Sequence, residues 1–318
     1  MPTIYIIGHR KPDTDSVVSA MALEFLYKAK SCFGYKNPQA AIVDPLNPET
    51  KYLFEKFGIE APKQITAADI KADDQVVLVD HNEESQRLEG LNPEQIVEIV
   101  DHHKVNLNLS KPIFMTFKTW GSSSAIIYFI MKQYSQDKVK PDKTLAALML
   151  AAILSDTVGF KSATSTDKDK KFGHELAKIA EIDDLDAFTL EIFKAKSNVA
   201  DLSDSELVKN DYKIFDFTKK TFIGQVETVE QVAILNKRKN SLLKAMEKIK
   251  AEEGVELLFL VITDVLKVNS KIIILGEEEK AVAKKAFGGR VEDNILDIGP
   301  KMSRKKEIAP VIEKTVKE

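Results

Sequence analysis

Four short β-prone runs, "TIYIIG" (3–8), "QAAIVD" (39–44), "QVVLVD" (75–80) and "IVEIVD" (96–101), end on glycine or aspartate and alternate with stretches of helical length. No other feature constrains the fold as much. "SVVSAMALEFLYKA" (16–29) and "ETKYLFEKFG" (49–58) space their apolar residues as a helix does, and "SSSAIIYFIMKQY" (122–134) and "DKTLAALMLAAILSD" (142–156) read as two further helices. The last is apolar nearly all round, the mark of a buried helix. Strands alternating with helices predict an α/β fold: a mainly parallel sheet with helices on both faces, binding ligands at the carboxyl ends of its strands.

At 318 residues the chain has room for two domains. The alternation lapses in the polar, small-residue stretch "EIFKAKSNVADLSDSEL" (191–207), and a different rhythm follows. "YKIFDF" and "TFIGQVETV" read as strands, 232–254 as a long helix, and "ELLFLVITDVLKVNSKIIILG" as a hairpin turning near Asn269-Ser270. The reading is therefore a domain over 1–195, a hinge linker over 196–202, and a smaller mixed-sheet α/β domain over 203–318, with a cleft between them.

With 44% hydrophobic and 30% charged residues the chain reads as a folded, soluble protein. Its formal net charge of −3 argues against a nucleic-acid partner, whose phosphates demand clustered Lys and Arg. The single cysteine, Cys32, excludes an internal disulfide and predicts a reducing compartment. No signal-peptide pattern opens the chain, and "LAALMLAAIL" and "LLFLVIT" are too short to span a bilayer. A cytoplasmic protein without a membrane role is expected.

Four of the five histidines stand beside aspartates at predicted strand ends: His9 in "GHRKPDTDS", His81 in "VDHNE", and His102 and His103 in "VDHHK". Taken singly, each has a structural explanation. Asp15 reads equally well as the N-cap of a helix starting at Ser16, and one Asp-His pair after a strand is ordinary loop chemistry. Asp156 is harder to explain so. A carboxylate at the C-terminal end of an apolar helix meets the wrong end of the helix dipole, and no Lys or Arg lies in the preceding turns. Joint occurrence at successive strand ends favours a metal centre with oxygen and imidazole ligands, suited to Mn, Co, Fe, Zn or Mg. So many carboxylates fit two ions sharing one of them. Asp13, Asp15, Asp80 and Asp156 carry four negative charges, which two divalent ions would balance. A phosphate-bearing substrate would then need further positive charge, and Lys213 and the "SRKK" run (303–306) offer it.

The ordered set "GHRKPDTDS", "VLVDHNE", "VDHHK", "ILSDT" and "SRKK" resembles the DHH phosphoesterase superfamily and, within it, the family II inorganic pyrophosphatases. The resemblance implies hydrolysis of pyrophosphate to two orthophosphates by a metal-bridged hydroxide. It implies that His9 and Asp13 bind one metal, that Asp15, His102 and Asp156 bind the second, and that Asp80 bridges both. His103 would face the substrate and act with Asp80 in catalysis, while Lys213, Arg304 and Lys305 would grip the phosphates. The implied cofactors are two Mn(2+) or Co(2+) per subunit, with additional Mg(2+) or Mn(2+) arriving with the substrate, and the implied assembly is a homodimer. Its interface is sought at an exposed edge of "IVEIVD" or "QVVLVD". His81 and Asp101 are read as orienting groups behind the ligands. Lys11 stands where many members carry asparagine, outside the ligand set. "VDHHK" and "SDT" lie too close for the nucleotide-binding insertion that some members carry. Two rival readings remain: another DHH-type phosphoesterase acting on oligonucleotides, cyclic dinucleotides or polyphosphate, and a non-catalytic phosphate-binding protein.

Overall fold

Ile4 to Ile7 form β1 (Ile4–Ile7) near the middle of a six-stranded sheet in the computed structural model, which describes residues 2–29, 34–135, 138–197, 199 and 202–317. Cys32 and positions 198, 200 and 201 of the predicted linker lie outside the described residues. The chain divides into two units, Met1–Lys196 and Ser197–Glu318.

In the first unit β1 is joined by β2 (Pro38–Ile42), β3 (Lys63–Gln64), β4 (Gln75–Val79), β5 (Ile96–Asp101) and β6 (Phe114–Phe117), in the order β3-β2-β1-β4-β5-β6. Every pairing is parallel. Its α-helices among the described residues are α1 (Thr14–Ala29), α2 (Pro48–Phe57), α3 (Ser123–Ser135), α4 (Lys143–Asp156), α5 (Asp167–Ala180) and α6 (Leu185–Ser197), the last ending on the first residue of the second unit. Helices α1 and α3 pack on the sheet, and α4 packs against α1 and α5. Helix α4 is buried without a break from Leu145 to Ser155, as its uninterrupted apolar run predicts. On the sheet side that carries Ile7, Val76 and Leu78, a second apolar cluster is closed by Ile65, Leu88, Ile70 and Leu91 from short turns and loops.

Three details depart from the sequence reading. Strands β4 and β5 are interior, so "QVVLVD" and "IVEIVD" offer no edge; the free edges are β3 and β6, whose short runs carry little pattern. Helix α6 runs on through Ser197, and a short helix, α7 (Asp204–Val208), opens on a capping box in which Ser203 and Glu206 bond reciprocally. The stretch 191–207 is therefore mostly helical. Its small and polar residues mask a pattern carried by Ile192, Phe193, Val199 and Leu207, all buried.

The second unit holds β7 (Tyr212–Asp216), β8 (Lys220–Thr228), β9 (Leu257–Asp264), β10 (Asn269–Ile274) and β11 (Ile295–Gly299), ordered β11-β10-β9-β8-β7. Only β8 and β9 run parallel, linked through the long α8 (Gln231–Glu252), so the sheet is mixed. Helix α8 covers one face with Leu242, Met246 and Ile249. The other face is covered by Ala283 of α9 (Glu277–Phe287) and Ile312 of α10 (Ala309–Lys317). The β9–β10 hairpin turns at 265–268, before Asn269-Ser270, because Asp264 pairs with Asn269 and its Oδ1 accepts from the Lys267 amide at 2.9 Å. An aspartate that folds back on its own turn outcompetes the Asn-Ser dipeptide. Among the described residues no helix is long and apolar enough to cross a membrane.

Candidate metal centre

Strand β1 ends at Gly8, where a Cβ would lie 1.8 Å from Ser16 Oγ. Only glycine lets the "GHRKPDTDS" loop fold back onto the start of α1, where the His9 amide donates to Ser16 Oγ at 3.0 Å. Helix α1 starts at Thr14, and the carboxylate that caps it is Asp13, accepting from the Ser16 amide at 2.9 Å. Asp15 is thus not the N-cap. It is fully buried and turned inward, accepting from the amides of Ser123 and Ser124 at 2.6 and 2.9 Å. Those amides form the N-terminus of α3, a natural anion cradle.

Asp80 follows β4 with φ +62°, a left-handed conformation that a non-glycine side chain adopts at a cost. Its amide donates to the Val100 carbonyl at 2.9 Å, which ties the strained residue to β5. The carboxylate is buried and its two oxygens diverge: Oδ1 lies 3.3 Å from His102 Nε2, and Oδ2 lies 3.5 Å from His9 Nε2. His9 Nε2 is also 3.6 Å from Asp13 Oδ2, and His102 Nε2 is 3.8 Å from Asp156 Oδ2. These separations are too long for good hydrogen bonds. They approach those of ligands sharing an ion, which sit about 3 Å apart when each is about 2.1 Å from the metal.

The donor atoms are also oriented. His9 Nδ1 lies 2.8 Å from the Arg10 carbonyl and His102 Nδ1 3.0 Å from that of Trp120. Each ring can then donate through Nδ1 and turn the Nε2 lone pair toward the carboxylates, as metal-binding imidazoles do. Asp80 Oδ2 and His102 Nε2 are buried without a hydrogen-bond partner. Among the described residues three groupings could each hold a cation: His9, Asp13 and Asp80; Asp15, Asp80, His102 and Asp156; and Asp80, His102 and the half-exposed His103. They share Asp80, and the orphaned atoms and donor chemistry fit divalent ions.

Protonation tells the same story. Burial works to lower His9, but the close carboxylates of Asp13 and Asp80 raise it to about 11; burial and Asp80 act likewise on His102, raised to about 9. Burial and then the Asp80 charge push the Asp15 carboxyl up to about 7. Asp156 is raised well above the usual range by burial and by Asp15, Asp13 and Asp80. Burial works against the charged form of Asp80 too, but the two imidazoles hold it below that range. Protons balance the crowded carboxylates here, and a cation would displace them. Asp156 also has a cationic neighbour that sequence proximity hides: Lys196, whose Nζ donates to Ser155 Oγ at 2.9 Å.

His103 is half exposed, its Nδ1 2.9 Å from Asp101 Oδ1. Asp101 is fully buried and also accepts from the amides of His102 and His103 and from Asn82 Nδ2. His81 stands apart from the cation groupings: its Nδ1 lies 2.9 Å from the Val79 carbonyl, its ring meets that of His9 edge-on, and burial lowers it to about 4.

In the second unit, Arg304 opens a π-helical turn (Arg304–Ile308). Its Nη2 donates to Asp211 Oδ1 at 2.8 Å, while Nη1 is buried without a partner. Lys305 and Lys306 are exposed on the same turn. Lys213 is exposed on the edge strand β7, with Nζ 5.3 Å from the centre of the Phe215 ring.

Comparison with known proteins adds to this geometry. Residues 3–153 match the family model described as the DHH family, N-terminal domain, and residues 190–315 that of the DHHA2 domain. A curated protein named manganese-dependent inorganic pyrophosphatase, from Methanocaldococcus jannaschii, is 38% identical over 98% of both chains. One of the same name from Methanothrix thermoacetophila is 38% identical over 99% of this chain and 98% of its own. The chain belongs to the family II, manganese-dependent inorganic pyrophosphatases. A crystal structure described as a candidate family II inorganic pyrophosphatase of Methanococcus jannaschii superposes with a TM-score of 0.61 at 36% identity, covering 99% of this chain and 100% of that one. As a member of this pyrophosphatase family, the chain is a hydrolase.

Sequence reasoning left out part of this pyrophosphatase fold's centre. Ser123 Oγ donates to Asp80 Oδ1 at 2.9 Å, and Ser19 and Ser124 complete the polar wall behind Asp15. The signal was present in "GSSS" (121–124), a small-residue run opening a helix directly after a strand and loop.

Proposed function

We propose that this chain hydrolyses inorganic pyrophosphate to two orthophosphates, using two manganese or cobalt ions per subunit and a further Mg(2+) or Mn(2+) brought with the substrate. His9, Asp13 and Asp80 would hold one ion, and Asp15, His102, Asp156 and Asp80 the other. Bound there, such ions would lower the pKa of coordinated water and neutralise phosphate charge. The single observation that carries the reading is Asp80, whose two buried oxygens turn toward two different imidazoles.

The protein's own groups have separable tasks. The α3 N-terminus and Ser123 hold Asp15 and Asp80 so that their oxygens need not reorganise. Asp101 fixes Nδ1 of the half-exposed His103 and raises its pKa, first through their hydrogen bond, and Nε2 would donate to the departing phosphate. Arg304, with its unpartnered Nη1, and Lys305 and Lys213 would neutralise the phosphoryl oxygens. We also propose a cytoplasmic homodimer formed along β6, a free edge where Phe114 is 74% and Met115 47% exposed. Phe114→Asp should then yield monomers in sedimentation.

The test of the activity is orthophosphate release by metal-stripped protein given back manganese, with pyrophosphate and a short oligonucleotide as parallel substrates. Turnover of pyrophosphate alone supports the reading. Turnover of the oligonucleotide would move the protein to another DHH-type phosphoesterase activity, and turnover of neither would leave a phosphate-binding protein.

A further inference from the structure

The segment that carries Arg304 is held by side chains where a strand or helix would use its own backbone. The Lys301 carbonyl accepts from Ser270 Oγ at 2.6 Å, and the Met302 carbonyl accepts from Gln225 Nε2 at 2.8 Å. The Arg304 amide donates to Gln225 Oε1 at 3.1 Å. The amides of Met302 and Ser303 both donate to Glu307 Oε2, at 3.0 and 2.9 Å. Five of the six backbone groups from the Lys301 carbonyl to the Arg304 amide are thereby fixed by side chains from outside the segment or from one turn ahead.

Gln225, Thr263 and Ser270 belong to the adjacent strands β8, β9 and β10, and all three are buried. Gln225 Nε2 donates to Thr263 Oγ1 at 2.9 Å, and Thr263 Oγ1 lies 2.8 Å from Ser270 Oγ. The direction of the relay is set by its ends. Ser270 has one hydroxyl proton, committed to the Lys301 carbonyl, so Thr263 must donate to Ser270 and accept from Gln225. The amide orientation of Gln225 is fixed as well, because a peptide N–H can only donate and a carbonyl can only accept.

A buried row of this kind is not what sheet stability asks for. Apolar residues of the same shape would fill the sites at little or no loss, whereas three buried polar groups are tolerable only while every bond is made. The relay does not close on itself; it ends on the backbone on either side of Ser303. We infer that Gln225, Thr263 and Ser270 are positioning residues that preset the 301–304 backbone, and so aim Arg304 and Lys305 before an anion arrives. Asp211 completes the arrangement by holding Nη2 of Arg304 and leaving Nη1 free of partners. The inference rests on the proposed role of Arg304 as a phosphate-gripping group.

The experiment is steady-state pyrophosphate hydrolysis by the manganese-loaded protein, comparing wild type, Gln225→Met, Arg304→Ala and the double variant. Gln225→Met keeps the volume and removes the bonds. It should raise KM about tenfold while kcat changes by less than about threefold. In the Arg304→Ala background the same substitution should add little, since both act through one group. An unchanged KM for Gln225→Met, or an equal effect in both backgrounds, overturns the inference and leaves Arg304 as a binding group. A wild-type KM for Arg304→Ala overturns the binding role itself, and the inference with it. Should Gln225→Met fail to fold, Ser270→Ala removes the bond to Lys301 and the acceptor of Thr263, leaves both Gln225 bonds to the segment, and is read by the same criteria.

Discussion

Asp80 and Arg304 are the charged groups on which the proposed chemistry of their respective units turns, and they are held in opposite ways. Asp80 is 1% exposed, strained at its backbone, and fixed by the end of a parallel strand that pairs on both sides. Arg304 stands on a single π-helical turn outside the sheet, its backbone held by one glutamine and its guanidinium by an exposed aspartate. Carboxylates that must crowd together need a scaffold that cannot relax, because each gains free energy by moving away from the others. A basic group that meets a polyanion needs reach, so its aim can come from a few replaceable side chains. Changes in the first unit should therefore abolish chemistry, and changes in the second should weaken binding.

The largest effect expected is that of Asp80→Asn. It removes the charge shared by both proposed ion sites, and kcat should fall about 10³-fold or more, together with manganese affinity. If it costs less than Arg304→Ala, the contrast between the units is wrong. Ser123→Ala leaves every proposed ligand in place but removes the donor to Asp80, and manganese should bind about tenfold more weakly in an equilibrium titration. An affinity equal to wild type would mean that the strand end alone positions Asp80.

The proton balance gives a third test. The folded pKa values of Asp15, about 7, and His102, about 9, lie above those of the unfolded chain, so the metal-free folded state binds these protons more tightly. Their contribution is complete below the unfolded values and is withdrawn as pH rises through 7 and then 9. Asp80, shifted the other way, already contributes fully above the ordinary carboxylate range. Metal-free protein should melt several degrees lower at about pH 9 than at about pH 6 in calorimetry, and manganese should abolish that fall. A metal-free melting temperature that climbs with pH would contradict the balance. The smallest effect concerns Lys11, which sits at φ +51° while its amide donates to Asp44. Asparagine tolerates that conformation better than lysine, so Lys11→Asn should stabilise by about 0.5 kcal/mol without changing kcat. A loss of stability would show that the lysine stem packs usefully.

Residues at strand ends were legible because a parallel sheet converts four separate sequence positions into one rim, whatever the loops between them do. His9, Asp13, Asp15, Asp80 and His102 could be nominated that way, and Asp156 from its place at the end of an apolar helix. What sequence could not supply was the division of labour between neighbours. Asp13 and Asp15 are chemically alike and two positions apart, yet one caps α1 and the other faces the α3 N-terminus, a choice made by where α3 begins. Lys196 reaches Ser155 from 41 positions away, beyond any local pattern. Gln225, Thr263 and Ser270 read as ordinary strand residues until their strands are laid side by side. The edges were misjudged for a related reason: β3 and β6 are too short and too exposed to announce themselves, so longer strands looked terminal.

The most direct test of the two-ion centre is the number of manganese ions bound per chain at saturation, counted by titration and by the spin coupling of the bound pair in paramagnetic resonance. Two ions per chain with a coupled signal, both lost in Asp80→Asn, is the predicted result. One uncoupled ion, or two ions that survive that substitution, would contradict a centre shared through Asp80.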